Sequence, residues 1–175
     1  MKITKKLLLF ILLSTFFAFA QDKKPGSTAE TATGKINGAT ITINYGSPSV
    51  RGREIWGGLV PFDKVWRAGA NNATTFETDK DITVNGSKLP AGKYSFFIIP
   101  NKNESIIIFN KVADQRGAYK YEESKDQLRV KAKPQPLDTV VEKLTYTVNP
   151  NTVDVVWEKW KLSLVVLLIQ IRCIS

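Results

Sequence analysis

Apolar and polar residues alternate from Ala39 onward with the period of two that is typical of β-strands. In the segment 40–45, Ile41, Ile43 and Tyr45 fall on one face, and the polar residues between them fall on the other. This pattern predicts a strand with one buried face and one exposed face. A Gly-Ser-Pro-Ser sequence follows and ends the strand.

Similar short segments recur along the chain, and turn signals separate them. The clearest turn is Asn85-Gly86, because both residue types tolerate the positive φ angles of a two-residue hairpin. Residues 111–125 are polar and predict a long loop or one helical turn. No segment keeps the helical period over three turns, so the pattern predicts an all-β fold with little helix, an antiparallel β-sandwich or a jelly-roll-like fold. The predicted strands cover 40–45, 75–78, 82–84, 94–99, 106–109, 128–133, 143–148 and 153–157.

The first twenty residues have the three-part pattern of a secretory signal peptide. Three lysines form a basic region, the apolar stretch 7–17 follows, and Ala18-Phe19-Ala20 is a small-x-small cleavage signal. The alternative is a membrane anchor, but the apolar stretch is shorter than the ~20 residues that span a bilayer. We therefore expect cleavage before Gln21, export to the periplasm or the extracellular space, and no stable membrane span after cleavage.

The rest of the chain divides into a leader, a folded domain and a tail. Residues 21–38 are rich in Lys, Gly, Ser, Thr and Ala with few large apolar side chains, which predicts a flexible leader. Residues 39–160 are predicted to form a single β domain. Residues 161–175 are an atypical hydrophobic tail, because an unbroken apolar run replaces the alternation. Three explanations of the tail stay open: a final central strand buried on both faces, a membrane tail, or a change of reading frame near Trp160.

The charge of the chain is positive but evenly spread. The chain carries 25 Lys and Arg against 16 Asp and Glu, a formal charge of +9. Removal of residues 1–20 takes away three lysines and no acidic residue, which leaves +6. Nucleic-acid-binding surfaces usually cluster their basic residues, and these are scattered, so we expect no nucleic-acid partner.

Composition also limits the chemistry. The chain has no histidine and one cysteine, Cys173, which excludes His-based triads, histidine metal sites, CxxC redox pairs and intrachain disulfides. Asp79, Asp81 and Asn85 do not have the spacing of a calcium-binding loop. We therefore predict no metal site and no cofactor. The missing histidine and nucleophilic cysteine favour binding over catalysis.

The segment 47–75 is the densest in polar and aromatic side chains, and glycines interrupt it. Arginine offers a planar hydrogen-bonding fork and tryptophan a stacking face, a combination that suits a concave binding site. The alternative is that the tryptophans plug one end of the sandwich and the arginines bind loop carbonyls. Arg67 and Asn71 are the strongest candidates for polar ligand contacts. The full set of candidate ligand-binding residues is Arg53, Trp56, Trp66, Arg67, Asn71 and Thr74.

Three classes of function follow from these residues. The favoured class is a non-catalytic binding module for a small polar or carbohydrate-like ligand. The alternatives are a carboxylate-based hydrolase and an envelope structural or interaction protein. The hydrolase requires two carboxylates to converge beside Trp56 and Trp66 in the folded chain. The sequence predicts no particular oligomeric state.

Several sequence blocks resemble the domain-of-unknown-function 2911 family of exported bacterial proteins. The blocks are PSVRGR, IWGGLVP, VWRAGAN and LPAGKYSFFIIP, which occur in this order, and the resemblance covers roughly residues 36–160. It implies an exported β-rich domain and no established activity. Arg116 stands where similar proteins often carry a tryptophan. Similar proteins also usually close with an alternating strand, which favours the altered-frame explanation of the tail.

Overall fold

The structure, a computed structural model, describes residues 26–169. The predicted signal peptide lies outside the described residues, as do residues 21–25 and 170–175. The described chain forms β-strands and one turn of 3-10 helix at Glu123–Lys125, where the sequence predicted a loop or a helical turn. The strands are β1 (Ser27–Ile36), β2 (Ala39–Pro48), β3 (Thr74–Thr78), β4 (Ile82–Val84), β5 (Ser87–Leu89), β6 (Gly92–Ile99), β7 (Ser105–Asn110), β8 (Asp126–Ala132), β9 (Gln135–Val148) and β10 (Thr152–Leu168).

These strands form two antiparallel sheets, which confirms the predicted all-β sandwich. The larger sheet has six strands in the order β1-β2-β3-β6-β7-β8, and the smaller has four in the order β5-β4-β10-β9. Every strand pair within them is antiparallel. The predicted Asn85-Gly86 turn is confirmed, with φ angles of 47° and 81°, and it joins β4 to β5. Across residues 26–169, no helix has the length and apolar character needed to cross a membrane.

The core fills the space between the two sheets. Phe96 on β6 meets Tyr146 on β9 edge to face, with the ring centroids 6.0 Å apart, so aromatic contact crosses from one sheet to the other. Phe109 packs edge to face on Phe76 at 5.1 Å and on Phe96 at 5.3 Å. This geometry is the one that aromatic quadrupoles favour. Among the aliphatic side chains that complete the core are Ile41, Ile43, Leu144, Leu164 and Val166.

Residues 27–36 form an edge strand, not the flexible leader that their composition predicted. β1 pairs with β2 in ten consecutive antiparallel pairs. The turn between them is Asn37-Gly38, with φ angles of 49° and 90°. An edge strand is held by backbone hydrogen bonds to one neighbour, and it needs few large side chains. Composition therefore missed this strand, although its turn repeats the Asn-Gly signal recognised at Asn85-Gly86.

The folded domain does not end near Trp160 as predicted, because β10 continues to Leu168. The apolar run keeps the period of two of a strand, and its inward side chains are buried while the outward ones are largely exposed. The structure therefore shows a final central strand, with one face buried rather than both. The buried residues of this segment are Leu162, Leu164 and Val166, and the exposed ones are Val165 and Leu167.

Candidate functional site

All four tryptophans of the chain pack together, two from the long loop that joins β2 to β3 and two from β10. Trp56 stacks on Trp160 with a centroid distance of 4.6 Å, and Trp66 stacks on Trp157 at 5.8 Å. The two stacks meet where Trp56 and Trp66 touch edge to face at 5.7 Å. We call these residues the tryptophan cluster. The cluster attaches the loop to β10, which is the anchoring role that the sequence left open for Trp56 and Trp66.

An irregularity in β10 brings two of these rings to the same side of the sheet. Trp157 and Trp160 are three residues apart, and a regular strand would turn them to opposite faces. The pairing of β10 with β9 shifts register between Val156 and Trp160, and Glu158 has a φ of 54°. A bulge of this kind re-aims the side chains that follow it. Sequence alternation alone could not place Trp157 and Trp160 together.

Arg53 and Arg67 hydrogen-bond to carbonyl oxygens of their own loop. Arg53 donates from Nε to the Val50 carbonyl at 3.1 Å and from a terminal nitrogen to the Ser49 carbonyl at 2.6 Å. Arg67 donates from Nε to the Gly69 carbonyl at 3.2 Å. These are the loop contacts that the structural alternative predicted. They leave other guanidinium N–H donors of Arg67 without an acceptor among the described residues.

Four of the six predicted site residues line one cavity of about 440 Å³ beneath the β2–β3 loop. Its lining contains three cationic side chains and, within residues 26–169, no acidic one. Trp56 and Thr74 are not among its lining residues. We call it the cationic cavity and define it by Arg53, Lys64, Trp66, Arg67, Asn71 and Trp157.

Thr74, which the sequence predicted as a ligand contact, makes a structural hydrogen bond inside the fold. Its side chain is fully buried, and its Oγ1 donates to the Ala68 carbonyl at 2.9 Å. The same carbonyl accepts a hydrogen bond from the Tyr146 hydroxyl at 2.7 Å, and burial raises the pKa of Tyr146 so that this hydroxyl keeps its proton. Ala68 has a φ of 53°, which an alanine adopts only when its surroundings hold it. Alternation along β3 turns Thr74 inward and Thr75 outward.

A row of polar side chains crosses the outer face of the six-stranded sheet. The pairing register places Thr31, Asn44, Thr75, Ser95 and Asn110 directly opposite one another on β1, β2, β3, β6 and β7. Directly opposed residues of antiparallel strands share a face. The row could not be predicted from the sequence, because it depends on the register of strands that are far apart in the chain.

The loop that follows β7 covers one half of this row. Ser95 Oγ donates to the Val112 carbonyl at 2.6 Å, and Asn110 Oδ1 accepts from the Val112 amide at 3.1 Å. The other half of the row is left open beside two loop segments, 70–73 and 113–116, which are joined where the Ala73 amide donates to the Gln115 carbonyl at 2.9 Å. The sheet face and these loops enclose a groove.

This groove has a volume of about 700 Å³, which is within the range of sites for small ligands. We call it the polar groove. Asn71 and Ala70 line both this groove and the cationic cavity, so the two sites are neighbours on either side of that loop segment. The side chains that define the polar groove are Glu30, Thr31, Asn44, Tyr45, Asn71, Asn72, Thr75, Lys93, Asp114, Gln115 and Arg116.

Two residues that line the polar groove each have a buried polar side-chain atom without a hydrogen-bond partner. The atoms are Thr75 Oγ1 and Gln115 Oε1, and each residue is only 8% exposed. The orientation of the Gln115 amide is set by its Nε2, which donates to the Val112 carbonyl at 2.9 Å and to Asn110 Oδ1 at 3.2 Å. Buried polar groups are normally paired, so two orphans in one groove are unusual. Neither residue was among the predicted site residues.

The charges around the polar groove are balanced. Glu30 and Asp114 are offset by Lys93 and Arg116, and Lys93 pairs with Asp114 at 3.6 Å. Tyr45 also lines the groove, and burial raises the pKa of its phenol, so the group is neutral at pH 7. The groove therefore offers hydrogen bonds without a net charge.

The described lining of the cationic cavity, which includes Trp66 and Trp157, has no Asp or Glu, so it does not supply the pair of carboxylates that a hydrolase requires. Asp79 and Asp81 instead accept backbone hydrogen bonds from Thr40 and Ala91. In the part of the chain from 26 to 169, no group of three or more metal-ligating side chains could hold an ion. The polar groove and the cationic cavity are therefore lined by groups that can form hydrogen bonds and, in the cationic cavity, attract a negative charge.

Comparison with known proteins gives one family. The family model described as "Protein of unknown function (DUF2911)" matches residues 27–166. The match begins at the start of β1 and includes most of β10, so it extends beyond both ends of the region in which the sequence blocks were recognised. Comparisons with curated proteins and with solved structures find no significant match.

Proposed function

The chain belongs to the DUF2911 family of proteins of unknown function, and we propose that it acts as an exported binding module. Its ligand is a small, polar, uncharged molecule of the carbohydrate type, held in the polar groove. The proposal involves no chemical step. The loops at the groove provide recognition, and the six-stranded sheet holds them in place.

The observation that carries this proposal is the pair of unpartnered buried atoms, Thr75 Oγ1 and Gln115 Oε1. A hydroxyl can donate and accept, whereas an amide oxygen only accepts. A sugar hydroxyl that reached these atoms as the side chains around them moved could donate to Gln115 and exchange a hydrogen bond with Thr75. An unpaired buried polar atom destabilises the free protein by about 1–3 kcal/mol, and a ligand that pairs it removes that cost.

Three asparagines add directional groups around these two atoms. Asn44 lies on the sheet face, while Asn71 and Asn72 lie on the loop. Asn71 has a φ of 65° and donates from Nδ2 to Ser27 Oγ at 3.0 Å, which fixes the position of the loop edge. The balanced charges of the rim favour a neutral ligand over an ionic one.

Replacement of Thr75 by valine tests the proposal. Valine keeps the shape of threonine and removes only the hydroxyl, so we expect the free energy of unfolding to stay the same or to rise by up to ~1 kcal/mol. The dissociation constant of a bound saccharide should rise by roughly threefold to tenfold, the value of one hydrogen bond. Calorimetric titration with a panel of neutral mono- and disaccharides measures the affinity, and denaturant unfolding measures the stability.

Thr42→Val is the matched control. Thr42 lies on the same outer face of β2 but outside the groove, next to Thr33. Its replacement should leave saccharide affinity unchanged. If no saccharide binds the wild-type protein, or if both valine variants bind as tightly as the wild type, the proposed function is wrong.

Export is part of the proposal, and it rests on the signal-peptide pattern of residues 1–20. We expect the mature chain to begin at Gln21. Intact-mass measurement of the protein from the envelope and medium fractions of its host should show that terminus. The variant Ala20→Arg places a large charge at the cleavage site and should accumulate uncleaved. A wild-type chain that retains Met1 in the cytoplasmic fraction would contradict export.

A further inference from the structure

The cationic cavity differs from the polar groove in its charge and in its walls. Arg53, Lys64 and Arg67 give it three positive charges, and its described lining has no acidic side chain. No salt bridge joins any of these three to another residue within the described chain. A cavity with uncompensated positive charge attracts anions.

The other walls of the cationic cavity are largely apolar and aromatic. Trp66 and Trp157, whose rings stack face to face, both lie in the lining. Leu59, Val60 and Val65 extend the apolar surface. Burial of a ligand's apolar part against such walls is favourable in proportion to the area removed from water. The cavity therefore combines an apolar wall with a group of cations.

A set of unpartnered donors is the third feature. Arg67 lines the cavity and donates only from Nε, to the Gly69 carbonyl. Its other guanidinium N–H groups have no acceptor among the described residues. A carboxylate accepts from such donors, and its planar shape matches the guanidinium fork.

From these three features we propose that the cationic cavity is a second binding site, specific for a small carboxylic acid with a planar apolar body. The body lies against Trp66, and the carboxylate accepts hydrogen bonds from the unused guanidinium donors of Arg67. Lys64 adds a long-range attraction. The site is separate from the polar groove in position and in ligand charge, so it does not depend on the function proposed for the groove.

Titration of the purified protein with phenylacetate tests this second site, with phenylacetamide as the uncharged match. Binding against Trp66 and Trp157 should change the tryptophan fluorescence in a saturable way. We expect phenylacetate to bind at least about tenfold more tightly than the amide, which corresponds to one hydrogen bond to a charged group. High salt should weaken the binding of phenylacetate and leave the affinity for phenylacetamide unchanged.

Two variants locate the site. Arg67→Gln should weaken phenylacetate binding by about tenfold or more. Lys64→Gln removes an exposed charge without disturbing a described contact, so it can be measured even if the Arg67 variant is unstable. It should weaken phenylacetate binding by roughly twofold to fivefold at low salt. Lys35→Gln, on β1 and outside both sites, is the control for net charge.

The outcomes separate the two proposals. Thr75→Val should not affect phenylacetate binding, because Thr75 lies in the polar groove. The second site is overturned if phenylacetate shows no saturable binding, if the amide binds as tightly as the acid, or if Lys64→Gln weakens binding no more than Lys35→Gln. Failure of saccharides to bind would leave phenylacetate binding intact.

Discussion

A chain that ends at Trp160 is expected not to fold. The truncation removes Leu162, Leu164 and Val166, each of which is at most 2% exposed. Loss of each buried aliphatic side chain lowers the free energy of unfolding by about 2–5 kcal/mol. The total for three side chains is comparable to the whole free energy of unfolding of a typical domain, about 5–15 kcal/mol. The truncated chain should show no cooperative transition in denaturant unfolding followed by circular dichroism.

The same truncation also removes the partner of β4. β4 pairs with β10 at Val166, Leu167 and Leu168, and the Asn85 amide donates to the Val165 carbonyl at 2.8 Å. The β4–β5 hairpin would lose its place in the sheet. A chain that ends at Ile169 keeps the whole of β10 and is the matched control, so it should unfold cooperatively. If the chain ending at Trp160 unfolds at the same midpoint as this control, the assignment of β10 is wrong.

Replacement of Gly46 by alanine should destabilise the protein by about 3 kcal/mol or more. A Cβ at this position would overlap the Ala70 carbonyl, which is backbone and cannot rotate away. The two segments approach this closely because the Ala70 amide donates to the Gly46 carbonyl at 3.1 Å. The loop that lines both the polar groove and the cationic cavity would have to move off β2. A melting temperature lower by roughly 6–12 °C is expected for a domain of this size.

Gly26→Ala provides the control for this substitution. A Cβ at Gly26 would meet nothing within 4 Å, so its melting temperature should stay within about 2 °C of the wild type. Equal melting temperatures for the Gly46 and Gly26 variants would show that the loop does not pack on β2 as described.

The parts of the fold that the sequence predicted correctly are those in which local pattern and burial agree. Ile41 and Ile43 point into the core, and the sequence shows this because polar residues separate them. β1 was missed because an edge strand is specified by backbone pairing and by its Asn37-Gly38 turn, more than by large side chains. The end of β10 was misjudged because its outward face carries exposed Val165 and Leu167 where polar residues are usual.

The candidate site was predicted in part. Arg53, Trp66, Arg67 and Asn71 do line one cavity, as their density in the sequence suggested; whether they contact a ligand stays a prediction. Thr75 was overlooked in favour of Thr74, although alternation along β3 already turns Thr75 to the outer face. Only the pairing of β3 with β2 and β6 shows that this face lines a groove. Gln115 gave no signal in the sequence. Its importance comes from the hydrogen bonds that bury it and leave its oxygen unpaired.

Two neighbouring sites of different charge would let one domain recognise two kinds of small molecule. The Ala70–Asn71 segment lines both sites, so a ligand in one site contacts the same loop as a ligand in the other. The tryptophan cluster fixes one side of this loop to β10, and Gly46 fixes the other side to β2. Contacts on two sides therefore hold the loop in place, and a loop held in this way would lose little conformational freedom when a ligand binds.

The most direct test of the central claim is an NMR titration of the ¹⁵N-labelled protein with the saccharide that binds most tightly in the calorimetric panel. A ligand in the polar groove should shift the backbone amides of residues 72–75 and 113–116 together, and the side-chain amide of Gln115 with them. Amides on the outer face of the four-stranded sheet should not move. Shifts confined to that sheet, or no saturable shift at all, would contradict the claim that Thr75 and Gln115 form a ligand site.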